Sequence, residues 1–283
     1  MLNLDSIDEI FSKHSINAVI HFAAMKAVGE SMQLPLLYYK NNMIGIINLL
    51  IAMEKYHVYN LVFSSSCTVY GEPSKLPLTE YDHTGNISNV YGRTKYFIEE
   101  MLKDISKADL NWNIIALRYF NPVGAHVSGK IGEDPTKKFT NLMPYISQVA
   151  IGKKPVLEIY GSDYDTVDGT GVRDYIHVMD LATGHIAALK KIMSERLGIK
   201  FYNLGTGKGW TVLQLISIFE KVNKVKVPFV IKARRVGDIS SMYADVSLAE
   251  TDLKWKASRT IEDMCRDFWR WQTLNPNGYK TKL

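Results

Sequence analysis

Tyr91 and Lys95 stand four residues apart in Val90-Tyr91-Gly92-Arg93-Thr94-Lys95, downstream of Phe63-Ser64-Ser65-Ser66-Cys67-Thr68-Val69-Tyr70-Gly71. On a helix, positions i and i+4 share a face, so phenol and ammonium can converge on one ligand. A free phenol keeps its proton until about pH 10, and a fixed positive charge beside it favours the phenolate. A tyrosine tuned in this way can exchange protons with a substrate hydroxyl near neutral pH. Ser66 and Thr68, at the end of an apolar run, supply hydroxyls that could orient that substrate.

The elements that must position these groups alternate. Ala18 to Ala24 is a short apolar run of the kind found in strands buried on both faces. Pro35 to Tyr56 reads as one long helix with proline in its first turn. Leu61-Val62-Phe63 is a second strand, Asn89 to Ser106 the helix carrying Tyr91 and Lys95, and Asn113 to Phe120 a third strand. This order predicts a parallel sheet with helical crossovers. Beyond Phe120 a long loop is expected from Asn121 to Thr140, then a helix (Asn141 to Ile151), a strand (Leu157 to Tyr160) and a polar loop (Ser162 to Gly171). Loops this long in a compact domain usually serve function. The alternation resumes over Asp174 to Lys191, Phe201 to Leu204 and Val212 to Val222, and an amphipathic helix closes the chain at Ile261 to Gln272.

Composition narrows the class. The 283 residues can bury a large core, and 46% apolar with 22% charged residues is ordinary for a soluble globular protein. No apolar run approaches a membrane span, and Met1-Leu2-Asn3-Leu4-Asp5 lacks the layout of a secretion signal. Two cysteines, Cys67 and Cys265, argue against a disulfide framework and suit a reducing, cytoplasmic setting. A net charge of +5, with basic residues scattered among 29 acidic ones, gives no nucleic-acid stripe. Neither a nucleic acid nor a membrane is expected as a partner.

Several other features invite chemistry and read more plainly as scaffold. Cys67 behaves as a small apolar residue beside the site. Asp163, Asp165 and Asp168 mimic a calcium loop, but Asp168 occupies the sixth place, where such a loop needs glycine. The seven histidines show no metal-ligand spacing, so no metal is expected. Gly205-Thr206-Gly207-Lys208-Gly209 lacks phosphate-loop spacing and reads as a strand-to-helix turn. Arg234-Arg235 followed by Gly237-Asp238 favours an anion-binding reading over a surface charge pair.

Together, the triple serine, the Tyr-x-x-x-Lys, Arg118-Tyr119-Phe120-Asn121-Pro122-Val123-Gly124-Ala125-His126 and Gly171-Val172-Arg173-Asp174-Tyr175-Ile176-His177-Val178 closely resemble the UDP-glucose 4-epimerase family of extended short-chain dehydrogenases/reductases. The likeness runs to the closing Trp269-Arg270-Trp271-Gln272 and Asn275-Pro276. It implies an α/β fold, a doubly wound, Rossmann-like parallel sheet shortened at its N-terminus, with a smaller α/β substrate domain. Residues 1–119 would form an incomplete NAD-binding domain, and residues 120–283 mainly a UDP-sugar-binding domain, with 174–204 returning to the Rossmann sheet.

The implied reaction interconverts UDP-glucose and UDP-galactose in galactose metabolism. Tyr91 would take the proton from the sugar O4 while NAD accepts hydride from C4, and the 4-keto sugar would turn over before taking the hydride back. Lys95 would bind the nicotinamide ribose and hold down the Tyr91 pKa. Ser66, Cys67 and Thr68 would contact the hexose. Phe22, Lys26, Asn42 and Tyr119 would line the NAD. Asn121, Asn141, Leu142, Tyr160, Arg173, Arg235 and Asp238 would grip the UDP-sugar, arginine suiting the diphosphate because its fork makes paired charge-assisted bonds. Related dehydratases carry an acidic pair where this chain has Cys67-Thr68, which speaks against elimination of water. Met242 matches a position that gates N-acetylated sugars, and its size is intermediate. The resemblance also implies a homodimer, through Pro35 to Tyr56 and the Tyr91 helix.

One part of the pattern is absent. The sequence has no G-x-x-G-x-x-G, the motif whose backbone amides and helix N-terminus hold a dinucleotide diphosphate. Alignment to the family pattern leaves out roughly the first two strands and their helices, on the order of 65 residues. Ala24 also replaces a usual glycine beside the cofactor. The resulting expectation is that the 283-residue chain holds NAD weakly, turns over slowly or not at all, and tends to aggregate. A shortened non-catalytic binding or dimer-partner form is the alternative this raises.

Overall fold

Strand β2 (Asn60–Ser66) pairs in parallel with β1 (Val19–His21) on one side and β3 (Asn113–Tyr119) on the other. Being interior, it buries Leu61, Val62 and Phe63 completely, which is why it reads as a continuous apolar run. The computed structural model, which describes residues 1–134, 141–235 and 237–279, completes this parallel sheet in the order β1-β2-β3-β7, with β7 at Ile199–Leu204.

Helices cover both faces, as a doubly wound sheet requires. On one face α1 (Leu4–Lys13), α4 (Gly45–Lys55) and α5 (Val90–Ala108) pack Phe11, Met53, Ile98 and Leu102 against Leu61, Phe63, Ile114 and Ala116. On the other, α7 (Val178–Ser194) and α9 (Ser247–Asp252) pack Leu181, Ile192 and Ala249 against Val62, Ile115 and Leu117. The alternation Leu61/Val62/Phe63 and Ile114/Ile115/Ala116 between the two cores is the period-2 pleat made visible.

The remaining elements form a second unit. Strands β4 (Asn121–Val123), β6 (Val172–His177) and β10 (Ser241–Met242) run parallel in the order β10-β6-β4, with β8 (Gly209–Thr211) antiparallel to β6. A separate parallel pair joins β5 (Leu157–Tyr160) and β9 (Phe229–Lys232). Helices α6 (Leu142–Ala150), α8 (Val212–Asn223) and α10 (Ile261–Leu274) enclose its core around Ile146, Phe219 and Phe268. Thus β6 stays with β4, and the chain re-enters the first sheet only at β7.

The long helix expected from Pro35 to Tyr56 is three pieces: α3 (Pro35–Tyr39), a π-helical turn (Lys40–Ile44) and α4. The wide turn seats Asn42 inside, where its amide bonds Met25 N and O at 2.8 and 3.0 Å and Thr94 Oγ1 at 3.1 Å; such bulges recur where a side chain must be re-aimed. The sequence reading passed over α1, the short α2 (Val28–Gln33), α9 and the short strands β8 to β10. Within the loop expected from Asn121 to Thr140, β4 takes the first residues, and residues 135–140 lie outside the described residues. Among the described residues no helix is long and apolar enough to cross a membrane.

Candidate active site

The first cluster forms where β2 ends and α5 begins. Asn89 caps α5, its Oδ1 accepting from Gly92 N at 2.8 Å, the ordinary service of asparagine at a helix start. Ser31 of α2 adds its hydroxyl as acceptor for Tyr91 N at 3.1 Å. Gly92 lets the helix approach the 3₁₀ turn Cys67–Tyr70: a Cβ there would lie 2.7 Å from Ile87 Cγ2 and 3.1 Å from Thr68 Cβ. That close approach sets Tyr91 beside the Ser66-Thr68 corner, where Thr68 Oγ1 donates to Ser66 Oγ at 3.0 Å.

The electrostatics differ from the sequence expectation in one respect. Burial pushes the Tyr91 phenol up to about 12, against a lowering pull from the Ser66 hydroxyl. Lys95 makes its hydrogen bond elsewhere, donating from Nζ to Ser64 O at 2.6 Å and lying 4.9 Å from the Phe63 ring centre. Burial carries its ammonium down to about 7, opposed by the charge of Glu99. The expected lowering of the phenol by lysine is therefore corrected. In this packing burial raises the phenol, the Ser66 hydroxyl pulls it down and Cys67 adds to the rise, while Lys95 donates to the strand backbone.

Beside this corner runs an aromatic ledge. Phe22 is 59% exposed and stands 4.7 Å from the His185 ring. Tyr119, in register with Ser66, hydrogen-bonds His185 Nε2. Since His185 Nδ1 faces Leu181 O at 2.8 Å and a carbonyl can only accept, Nε2 is the acceptor and the Tyr119 hydroxyl donates. Lys26 reaches Glu133 at 3.1 Å, and Asn141 Nδ2 donates to the same Glu133 oxygen at 3.3 Å. Asn42, taken from the sequence as a cofactor contact, has both ends of its amide engaged and is buried, so it braces the Met25 loop.

A second cluster sits on β5, β6 and the segment after β9. Arg173 and Arg235 share Asp238, at 3.8 Å to Oδ1 and 3.6 Å to Oδ2. The Arg235 guanidinium lies 4.1 Å over the Tyr160 ring, and the Tyr160 hydroxyl donates to Glu158 at 2.8 Å. Two cations around one carboxylate leave surplus positive charge for a diphosphate. Asn121 opens β4 opposite Tyr175, Asn141 precedes α6 and Leu142 begins it.

The clusters meet at Cys67 and Met242. Both belong to one small core with Tyr70 and Phe120, and Met242 pairs with Arg173 across β10 and β6. Burial pushes the Cys67 thiol up to about 12 while Arg173 pulls it down, so the arginine is close enough to be felt. A thiol held so high is neither nucleophile nor acid near neutral pH. Residues the sequence reading missed include His185, Glu99 and Arg118. His185 carries no local signal, whereas Glu99 stands one helical turn beyond Lys95 and was open to the same i+4 reasoning.

For a nicotinamide cofactor the fit is partial and specific. The exposed Phe22 ring, the Tyr119 hydroxyl and the buried Lys95 suit the nicotinamide-ribose end. The described residues offer no glycine-rich turn for the diphosphate.

The family profile described as GDP-mannose 4,6 dehydratase matches residues 1–268. A UDP-glucose 4-epimerase of Bos taurus is 55% identical over 282 residues, spanning 100% of this chain and 81% of that protein. A UDP-glucose 4-epimerase of Homo sapiens has the same identity and coverage. Among solved structures, a UDP-glucose 4-epimerase from Bifidobacterium longum in complex with NAD+ and UDP superposes with a TM-score of 0.95 at 50% identity, covering 98% of this chain and 82% of that one.

Proposed function

The chain belongs to the UDP-glucose 4-epimerase family, and from that premise we propose that it interconverts UDP-glucose and UDP-galactose by NAD-dependent epimerisation at C4, a step of galactose metabolism. The observation that carries the reading is the meeting of two chemistries across Cys67. A proton-exchanging corner (Tyr91, Lys95, Ser66, Thr68) is joined to a diphosphate-suited cluster (Arg173, Arg235, Asp238, Tyr160) through the small core that holds Cys67 and Met242, Met242 pairing with Arg173.

Each residue then has a task. Tyr91 takes and returns the proton at the sugar O4, and the Ser66 hydroxyl lowers the cost of its phenolate. Ser66 and Thr68 orient the hexose through hydroxyls that already bond each other, and Cys67 packs against it as an apolar wall. Arg173 and Arg235 bind the diphosphate in exchange for Asp238, which turns to the ribose hydroxyls. Tyr160, Asn121, Asn141 and Leu142 border the nucleotide. NAD, when bound, supplies the reversible hydride acceptor at C4. Phe22, Lys26, Lys95 and Tyr119 would hold it, with Asn42 fixing the Met25 loop beside Lys26. A hexose that must present both faces is held loosely, so binding energy is invested in the UDP.

The Cys67-Thr68 pair favours epimerisation over dehydration, since a thiol near 12 and a threonine hydroxyl cannot act as acid and base for loss of water. The division of labour follows the two units, residues 1–119 with β7 serving the cofactor and the rest mainly the UDP-sugar. A homodimer is part of the proposal, supported by exposed Leu36 (82%), Ile47, Ile51 and Phe97 on α3, α4 and α5, an apolar patch of the kind that marks an interface. So is a cytoplasmic setting, supported by free thiols at Cys67 and Cys265.

The test is conversion of UDP-galactose by the purified chain with saturating NAD. Conversion that disappears in Tyr91→Phe, with UDP affinity retained, is the expected result. A chain that binds both NAD and UDP-galactose yet leaves the sugar unchanged would sink the reading.

A further inference from the structure

Three residues of α5 spaced four apart meet three consecutive serines of β2. Tyr91 lies by the Ser66 hydroxyl, Lys95 donates to the Ser64 carbonyl at 2.6 Å, and Glu99 accepts from Ser65 Oγ at 2.6 Å. The first two belong to the chemistry proposed above. The third has no part in it, yet Glu99 is fully buried, where a carboxylate is expensive unless every lone pair is used.

Its partners account for that. Arg118 on β3 forks onto it, Nε to Oε1 at 3.0 Å and Nη2 to Oε2 at 2.7 Å. Ser65 and Arg118 are register partners on neighbouring strands, so the carboxylate is clamped by β2 and β3 at one level of the sheet. The guanidinium is itself fixed between the rings of Tyr70 (4.8 Å) and Phe201 (4.7 Å), with Nη1 donating to Tyr70 Oη at 3.0 Å and to Glu80 O at 3.2 Å. Burial opposes the Arg118 charge, and the bonds from Glu99 and Tyr70 override it, raising its pKa.

We propose that Glu99 is a positioning residue for the Tyr91/Lys95 pair: clamped by Arg118 and Ser65, it sets the depth at which α5 rests on β2 and supplies the countercharge of the Lys95 ammonium. This rests on the reading of Tyr91 and Lys95 as the proton-exchanging groups. Apolar packing by Ile98 and Leu102 already seats the helix, and a buried ion pair is a poor device for stability alone. Its location one turn from Lys95 is what an electrostatic task requires.

The other groups facing Lys95 do not supply that charge. On β1, His21 stacks on Phe63 and is held neutral near pH 7, its pKa carried down to about 4 by burial first and by the Lys95 charge second. Tyr91 on the same helix and Tyr119 on β3 are both pushed upward by burial, so neither brings a resting negative charge to Lys95. Arg118 carries the same sign as Lys95. Glu99 is the carboxylate that raises the Lys95 pKa against its burial.

The experiment follows the Cε resonances of 13C-lysine-labelled full-length protein with pH, Lys95 being assigned by its disappearance in Lys95→Met. Glu99→Gln leaves the Arg118 charge uncompensated, and the Lys95 midpoint is expected to fall by about one pH unit or more. Glu99→Asp should restore most of it. Glu99→Gln/Arg118→Met, which removes both charges, should keep the fold and show a smaller fall of the same sign. If Glu99→Gln does not fold, the double variant decides. A midpoint unchanged in the folded variants overturns the proposal. In turnover, Glu99→Gln should lower kcat at least tenfold with KM for the UDP-sugar little changed; a change in KM alone also overturns it. The lysine titration needs no turnover, so an inactive chain would count against the epimerase reading and leave the Glu99 question answered.

Discussion

Lys95 Nζ donates to the carbonyl oxygen of Ser64 at 2.6 Å, bridging helix α5 to the strand that ends in the candidate sugar-binding hydroxyls. The bond ties a titratable group to the backbone of an interior strand, in a site dry enough to carry the ammonium from about 10.5 to about 7.

That displacement makes folding stability depend on pH. The unfolded chain keeps the lysine proton up to about 10.5 while the folded protein releases it near 7. Between those values unfolding takes up a proton, so rising pH favours the folded state. Denaturant unfolding of the protein and of Lys95→Met should show their stability difference shifting toward the unsubstituted protein as pH rises through this window, by an amount on the order of a few kcal/mol. Parallel curves would contradict it.

Among the described residues the Arg173 side chain meets Asp238 and its own strand carbonyl at Val172. Arg173→Ala should therefore leave the fold intact and weaken UDP binding by about 1.5–3 kcal/mol, the usual worth of charge-assisted bonds, or roughly 10- to 100-fold in Kd. Calorimetric titration with UDP reads this directly.

Gly92 lies where α5 touches the 3₁₀ turn. Gly92→Ala gains about 1 kcal/mol of helix propensity. It must also fit a Cβ 2.7 Å from Ile87 and 3.1 Å from Thr68; overpacking of this kind costs about 1–3 kcal/mol. The clash is expected to win, lowering Tm by roughly 2–4 °C for each net kcal/mol and turnover more than stability alone explains, because Thr68 must give way. A Tm at or above that of the unsubstituted protein would show that the turn yields freely.

The apolar residues on α3 and α4 carry the dimer proposal. Leu36→Glu/Ile51→Glu replaces two exposed residues, so the monomer fold should survive. Sedimentation should then report a shift from dimer to monomer; a monomeric parent, or a dimer that tolerates both charges, would remove this patch as the interface.

Much of the frame was legible because its signals are local. The helix beginning near Asn89, the buried run through Leu61-Val62-Phe63, and the Tyr91-to-Lys95 spacing each need only a few neighbouring residues, and all reappear at or near their expected bounds. The π turn at Lys40–Ile44 was not legible, since what draws Asn42 inward is the Met25 backbone, distant in sequence. The short strands β8 to β10 escaped for the same reason, each being held by ladder partners far along the chain.

Which groups could do chemistry follows from residue order alone: a phenol and an amine on one helical face, a serine-rich strand end, and two arginines with an aspartate. Residue type and short spacing suffice for that, because covalent geometry converts i and i+4 into proximity. How those groups are tuned depends on the folded chain. It turned the lysine toward Ser64, raised the phenol by desolvation, and clamped Glu99, one turn beyond Lys95, with Arg118. Burial and long-range charge fix proton affinities, and both arise only when β1, β2, β3 and α5 close around the same few side chains.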